Sequence, residues 1–219
     1  FNQGVDEALI ETENPDAVIL ASGAVPIGLP IKGADRPHVV QAWDVLQNKV
    51  ATGRQVVIIG GGAVGVETAL FLAEKGTLSG EALKFLLVNR AEDPETLYEL
   101  ATRGTKDIIV VEMIDKMGKD IGKTTRWGIL QDLSRKGIET KITTKALEIT
   151  ENSVRVEMDG KIEEITADSV VLAVGATSYN PFQEILDQKS IPCTVAGDAA
   201  TVGLAFDAVH SGFAAGRKI

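Results

Sequence analysis

Short apolar runs alternate along the chain with segments whose apolar residues recur at helical spacing, and this alternation predicts the elements. Residues 17–21 (AVILA) form a strand candidate, entered through the turn signal Asn14-Pro15-Asp16 and ended by Ser22-Gly23. Residues 25–37 carry three prolines and two glycines and read as a connection without regular structure. Residues 41–47 look helical, with Trp43 and Leu46 on one face. Residues 54–59 (RQVVII) are a β-branched strand, and 64–75 a helix closed by Gly76.

Two further helices follow at 78–88 and 93–102, the second with Pro94 near the favoured first helical position. The next strand, 107–112 (DIIVVE), arrives only after them. A polar loop leads to a helix over 123–136, stopped by Gly137. Four short strand candidates come next, at 139–143, 146–150, 153–158 and 161–166, with Asp159-Gly160 as a hairpin signal between the last two. A buried strand at 169–174 (SVVLAV) ends at Gly175. The order predicts an α/β fold: a Rossmann-like parallel sheet with helices, and an antiparallel β-meander layered across it. The strand ends AVILASGA (17–24) and SVVLAVGA (169–176) echo each other, which suggests two related nucleotide-binding units in the parent fold.

Composition narrows the partners. The 219 residues carry 22 Lys+Arg against 31 Asp+Glu, a net charge of −9, which argues against a nucleic-acid or anionic-membrane surface. One stretch, 56–73, is apolar enough to suggest a membrane span, but glycines at 60, 61, 62 and 65 disfavour a helix through its first half. A strand, a glycine turn and a helix fit it better. The single Cys193 is too few for an internal disulfide, a dithiol redox pair or an all-protein iron–sulfur site, and two histidines make a His-rich metal site an unfavoured reading. Without a basic-then-apolar N-terminal segment, a cytoplasmic location is the expectation.

The strongest local signal is Gly60-Gly61-Gly62-Ala63-Val64-Gly65, a G-x-G-x-x-G directly after a strand and directly before a helix. Gly60 permits the tight turn, Gly62 allows the backbone to approach a pyrophosphate, and Gly65 lets helix and strand pack closely. The helix N-terminus then offers free N–H groups and partial positive charge to phosphates. An acid at the end of the following strand would accept the ribose hydroxyls, usually about 20 residues on. Glu112 stands well beyond that, and the excess matches the helical stretch 77–106, so the acid is in the expected structural place behind an insertion. The alternative is a solvated glutamate ending a strand. A carboxylate there favours NAD(H), because it would repel a 2′-phosphate, although Lys116, Lys119 and Lys123 keep NADP(H) open as the lesser choice.

Glu67, inside the apolar helix, faces the nicotinamide end of a cofactor, pairs with a basic neighbour, or points to solvent. Near the C-terminus, TVAGDAA (194–200) sets Asp198 after a short apolar strand and Gly197, and 206–218 reads as a helix with small residues on one face. The plainer reading of that stretch is strand, turn and helix with Asp198 as N-cap.

In order along the chain, AVILASGAVP, VVIIGGGAVGVE, SVVLAVGA and TVAGDAA together resemble the two-dinucleotide flavoproteins of the pyridine nucleotide-disulphide oxidoreductase superfamily. More closely, the chain resembles the C-terminal region of the 2-enoate reductase, 2,4-dienoyl-CoA reductase and NADH:flavin oxidoreductase family. The insertion before DIIVVEM, then GKDIGKTTRWGILQDLSRKGIE, is similar to the enoate-reductase branch. The resemblance implies an oxidoreductase acting on CH–CH double bonds, in which a barrel holds FMN, a cysteine cluster holds [4Fe–4S], and an FAD domain carries an inserted NAD(P)H domain. It implies three segments here: a partial FAD-binding domain and crossover linker at 1–50, an NAD(P)H-binding domain at 51–180, and a return to the FAD-binding domain at 181–219. By motif match, Gly60, Gly62, Gly65 and Glu112 contact NAD(P)H, while Gly23 and Asp198 fall where the family touches FAD. The full candidate cofactor-binding set is Gly60, Gly61, Gly62, Ala63, Val64, Gly65, Glu67, Glu112, Met113 and Gly175, with Gly23, Gly197 and Asp198.

The chain therefore reads as a fragment: the NADH-binding module of a flavin-dependent reductase, whose partners are the nicotinamide dinucleotide and the parent's FAD and FMN-barrel domains. No residue is needed as general acid or nucleophile. The insertion should lie outside the nucleotide site, with Leu83, Leu86 and Leu87 covering a face that meets another domain. Two other readings stay open. A self-sufficient dehydrogenase would want a proton donor, and Tyr98 and Tyr179 lack a lysine four residues on. A non-catalytic ADP-binding domain would use the same glycine turn and Glu112.

Overall fold

The computed structural model describes residues 2–218. In chain order the elements are α1 (Glu7–Glu13), β1 (Val18–Leu20), β2 (Ala24–Pro26), β3 (Val39–Gln41), α2 (Ala42–Leu46), β4 (Gln55–Ile59) and α3 (Ala63–Ala73). The insertion helices α4 (Gly80–Val88) and α5 (Pro94–Thr102) precede β5 (Asp107–Val111) and α6 (Lys123–Arg135). Then come β6 (Glu139–Lys141), β7 (Thr144–Ile149), β8 (Ser153–Met158), β9 (Lys161–Thr166) and β10 (Ser169–Leu172). The chain finishes with β11 (Ala176–Ser178), α7 (Gln183–Gln188), β12 (Cys193–Val195) and α8 (Ala205–Gly216). They sort into two compact units, one of Gly28–Gly175 and one of the flanking segments.

In the larger unit a five-stranded parallel sheet has the order β3-β10-β4-β5-β6. Its inner strands β10, β4 and β5 are near-continuous Val/Ile/Leu runs because both faces are covered. Successive residues point to opposite faces. Val56, Ile58, Ile108, Val110 and Val171 therefore pack with Val66, Ala69 and Leu72 of α3 and Leu133 of α6. Val57, Ile59, Val111, Val170 and Leu172 pack with Ile149, Val154, Val156 and Ile165 of the antiparallel β7-β8-β9 meander. The α/β Rossmann-like fold with its meander layer is as the sequence predicts.

Several details differ. Of the four strand candidates after Gly137, β6 joins the parallel sheet beside β5, so the meander has three strands. A three-residue segment such as Glu139–Lys141 shows its partner only through pairing. Residues 25–37 are not wholly irregular, since β2 pairs antiparallel with β11. Helix α2 buries Ala42 and Val45, while Trp43 and Leu46 lie half-buried. By packing, the chain divides at Ile27/Gly28 and Gly175/Ala176, with residues 28–50 in the larger unit. The physical reason is that β3 pairs with β10, and α2 packs on α3, which ties residues 28–50 to the sheet.

The insertion is pinned at its neck. The Thr105 N–H donates to the Lys75 carbonyl (2.9 Å), and Ser79 and Asp93 cap α4 and α5. Helix α4 buries none of its residues. Its exposed apolar side chains are Phe85, Leu87 and Val88, while Leu83 and Leu86 are half-buried, so only Leu87 of the three expected leucines is on the open face.

In the other unit β1 pairs parallel with β12, and Ile10, Leu20 and Leu186 make a small core with Cys193 at its edge. Lys189 holds this unit's α1 and α7 regions together through Glu7 (3.0 Å) and Glu11 (2.6 Å). No helix among the described residues is long and apolar enough to cross a membrane.

Candidate functional site

Strand β4 runs into Gly60 and leaves the turn as α3, with Gly62 in the N-cap position. The Gly60 N–H donates to the Val111 carbonyl (2.9 Å), and φ is +108° there, a conformation that side-chain-bearing residues rarely adopt. A Cβ on Gly60 would also overlap the Ala173 carbonyl. A Cβ on Gly65 would overlap the Gly60 carbonyl oxygen, so this glycine sets how closely α3 meets the turn. Gly62 is different. The nearest atoms a Cβ there would meet are the Asp120 carboxylate oxygens, at 3.2 Å and 3.3 Å.

Glu112 follows β5 and its backbone is bracketed by the Glu112 N–H to Lys141 carbonyl bond (2.8 Å) and the Thr144 N–H to Glu112 carbonyl bond (2.9 Å). The half-buried side chain reaches back to the turn. Its Oε2 accepts from the Gly61 N–H at 2.6 Å, and its Oε1 accepts from the Ile114 N–H at 3.0 Å. Glu112 is thus a clamp on the glycine turn and not a solvated strand end. A carboxylate has about four lone-pair sites, so these two bonds leave acceptor capacity free.

The polar loop after β5 closes over the same turn, which the sequence did not indicate. The Gly118 N–H donates to the Gly61 carbonyl (2.6 Å), Met117 is buried against Gly61, and Arg126 Nε donates to the Met117 carbonyl (2.8 Å). From this loop the exposed Asp120 accepts the Ala63 N–H through Oδ1 at 2.8 Å. A signal existed: an acid in a short glycine-bearing loop. Three residues before α6, however, it reads as a cap for its own helix.

The structure brings Gly60–Gly65, Glu112 and Met113 together; Met113 is 70% exposed beside the clamp. Gly175 lies in the same unit, three residues past the end of β10, the neighbour of β4. Glu67 is exposed on α3. Gly23, Gly197 and Asp198 lie in the other unit. There Asp198 sits in a short 3-10 turn and accepts the Gly203 N–H at 3.2 Å. It does not cap α8, whose N-cap is Leu204, because the turn spends residues 200–203 before the helix begins. Burial, with the Asp187 charge as a lesser cause, pushes the Cys193 thiol up, away from the reactive thiolate.

The profile of the pyridine nucleotide-disulphide oxidoreductases matches residues 4–201. The chain belongs to this family. A metal reductase of Desulforamulus reducens is 43% identical over 196 residues, covering 90% of this chain and 29% of the relative. An NADH oxidase of Thermoanaerobacter brockii is 36% identical over 214 residues, covering 95% of this chain and 28% of the relative. Among solved structures, a 2-naphthoyl-CoA reductase superposes over 100% of this chain and 29% of its own, with a TM-score of 0.80 at 24% identity. That likeness shows a shared fold. The pyridine nucleotide-disulphide oxidoreductase segment thus spans about three-tenths of the length of these relatives, both of which carry the names of oxidoreductases. With one cysteine, this segment holds no redox thiol pair despite the family's name.

Proposed function

We propose that the chain is the NADH-binding module of a flavin-dependent, enoate- or dienoyl-CoA-reductase-like oxidoreductase. The observation that carries the reading is the Gly60–Gly65 turn between β4 and α3 with the Glu112 carboxylate seated on its Gly61 N–H. The turn fits a dinucleotide: the first neighbour over Gly62 is the exposed Asp120 side chain, with no backbone nearer, and the α3 N-terminus aims its partial positive charge at that space. Bound there, the nicotinamide cofactor supplies a hydride that an FAD accepts. The protein's share is binding and orientation. The α3 N–H groups receive the pyrophosphate, and Glu112 uses its free lone pairs on the ribose hydroxyls. Its negative charge disfavours a 2′-phosphate, which favours NADH over NADPH.

Gly23, Gly197 and Asp198 are the proposed contributions to an FAD whose phosphate turn lies elsewhere in the parent. FMN and a [4Fe–4S] cluster, with the reduction of a CH–CH double bond, belong in this reading to the remaining seven-tenths of a relative-sized protein. Calorimetric titration with NADH and, separately, with ADP tests it. Tighter binding of NADH supports the module. Equal affinities would favour a structural adenine-nucleotide site, and no binding of either would refute both.

A further inference from the structure

We infer that Asp120 is an internal stand-in for the dinucleotide phosphate, a carboxylate that holds the α3 N-terminus until the cofactor displaces it. The inference rests on the nucleotide-binding reading above. Its Oδ1 takes the Ala63 N–H at 2.8 Å, and its two oxygens lie 3.2 Å and 3.3 Å from where a Gly62 Cβ would be. That is the space a pyrophosphate needs in a G-x-G-x-x-G turn. One N–H cannot serve both anions, and a carboxylate left beside a phosphate is a like-charge contact, so the two occupants exclude each other.

The surroundings separate what moves from what stays. Met117 and Gly118 are buried, with Gly118 bonded to the Gly61 carbonyl (2.6 Å) and the Met117 carbonyl held by Arg126 (2.8 Å). Two residues on, Asp120 is exposed and accepts one bond from the turn. Rotation of this side chain into water frees the Ala63 N–H without unlatching the loop. The cofactor's apparent affinity is then its intrinsic affinity reduced by the fraction of molecules in which Asp120 has let go.

The test is NADH titration of the 219-residue chain and of Asp120→Ala and Asp120→Asn at low salt, with thermal melts of the ligand-free proteins. Asp120→Ala is expected to bind NADH about 3- to 10-fold more tightly, the factor a typical helix cap corresponds to, while melting at a lower temperature. Asp120→Asn keeps an acceptor without the charge and should fall between the two. A merely structural cap would lower the melting temperature and leave affinity equal or weaker, and that result overturns the inference. If Asp120→Ala does not fold, Asp120→Asn decides alone: tighter binding supports the stand-in and equal or weaker binding refutes it. If no form binds NADH, the nucleotide reading itself fails and takes this inference with it. Wild-type binding without tightening in the variants removes only the role of Asp120.

Discussion

In the 28–175 unit the glycine turn runs straight from β4 into the eleven-residue α3, and the groups that meet it come from far along the chain. The turn at Gly197 in the other unit is handled locally. The Gly197 N–H donates to Ser211 Oγ (2.8 Å), Asp198 takes the Gly203 N–H, and Asp207 takes the Leu204 N–H (2.9 Å). A similar pairing of glycine and carboxylate therefore has two physical meanings. At Gly60–Gly65 a helix opens directly on the turn, and the Gly61 and Ala63 N–H groups are met by Glu112 and Asp120 from distant segments. At Gly197–Asp198 the donors are consumed within the next fourteen residues, and the helix starts later.

The largest way to break this contrast is Gly65→Ala. Its Cβ would overlap the Gly60 carbonyl, and backbone cannot step aside as a flexible side chain can. A loss of roughly 1–3 kcal/mol or more in denaturant unfolding is expected. An unchanged midpoint would show that α3 does not sit so tightly on the turn.

Next in size is Glu112→Ala, which removes the acceptor of the Gly61 and Ile114 N–H groups along with the proposed ribose contact. A charge-assisted bond is worth about 1.5–3 kcal/mol, so NADH affinity should fall roughly 10- to 150-fold. The gap between NADH and NADPH should narrow, and Glu112→Arg should favour NADPH. Equal binding of NADH and NADPH by the unmodified chain at moderate salt would remove Glu112 from the ribose.

Asp198→Ala sharpens the comparison from the other side. It breaks one exposed bond, so about 0.5–1.5 kcal/mol of stability is expected to go, with NADH affinity unmoved. A tenfold loss of NADH affinity would mean the two turns are not independent.

The smallest effect is expected from replacing the excursion between Gly76 and Thr105 by a short Gly/Ser linker. The neck closes beside the N-terminal end of β5, whereas the site lies past the C-terminal ends of β4 and β5. NADH affinity should stay within twofold by calorimetry, and a large loss would refute the separation.

What was legible in the sequence follows from where the information resides. The run RQVVII-GGGAVG-VETALFLA carries strand, turn and helix in consecutive residues, so β4 and α3 could be read locally, as could α5 from Asp93-Pro94. The Asp159-Gly160 turn was equally plain, and both residues take positive φ in the structure. Strands β2, β3 and β11 were not, because each has three residues and exists by virtue of a partner distant in sequence, and although 139–141 read as a strand its place beside β5 did not. Glu112 was found by its place at a strand end. Its grip on Gly61, and that of Asp120 on Ala63, depend on the 113–122 loop folding back across the turn. No periodicity marks that tertiary event.

The central claim is that the turn between β4 and α3 receives a dinucleotide phosphate, and Gly62→Val addresses it most directly. The backbone at Gly62 is extended (φ −71°, ψ −173°), a conformation valine adopts freely, and the neighbour a Cβ would meet is the exposed Asp120 carboxylate. The variant should therefore fold, with an unchanged far-UV circular dichroism spectrum, while its side chain fills the phosphate space. Calorimetry with NADH is predicted to show binding to the unmodified chain and none measurable to folded Gly62→Val. Equal NADH affinity of the two proteins would contradict the account, leaving the glycine turn a structural feature alone.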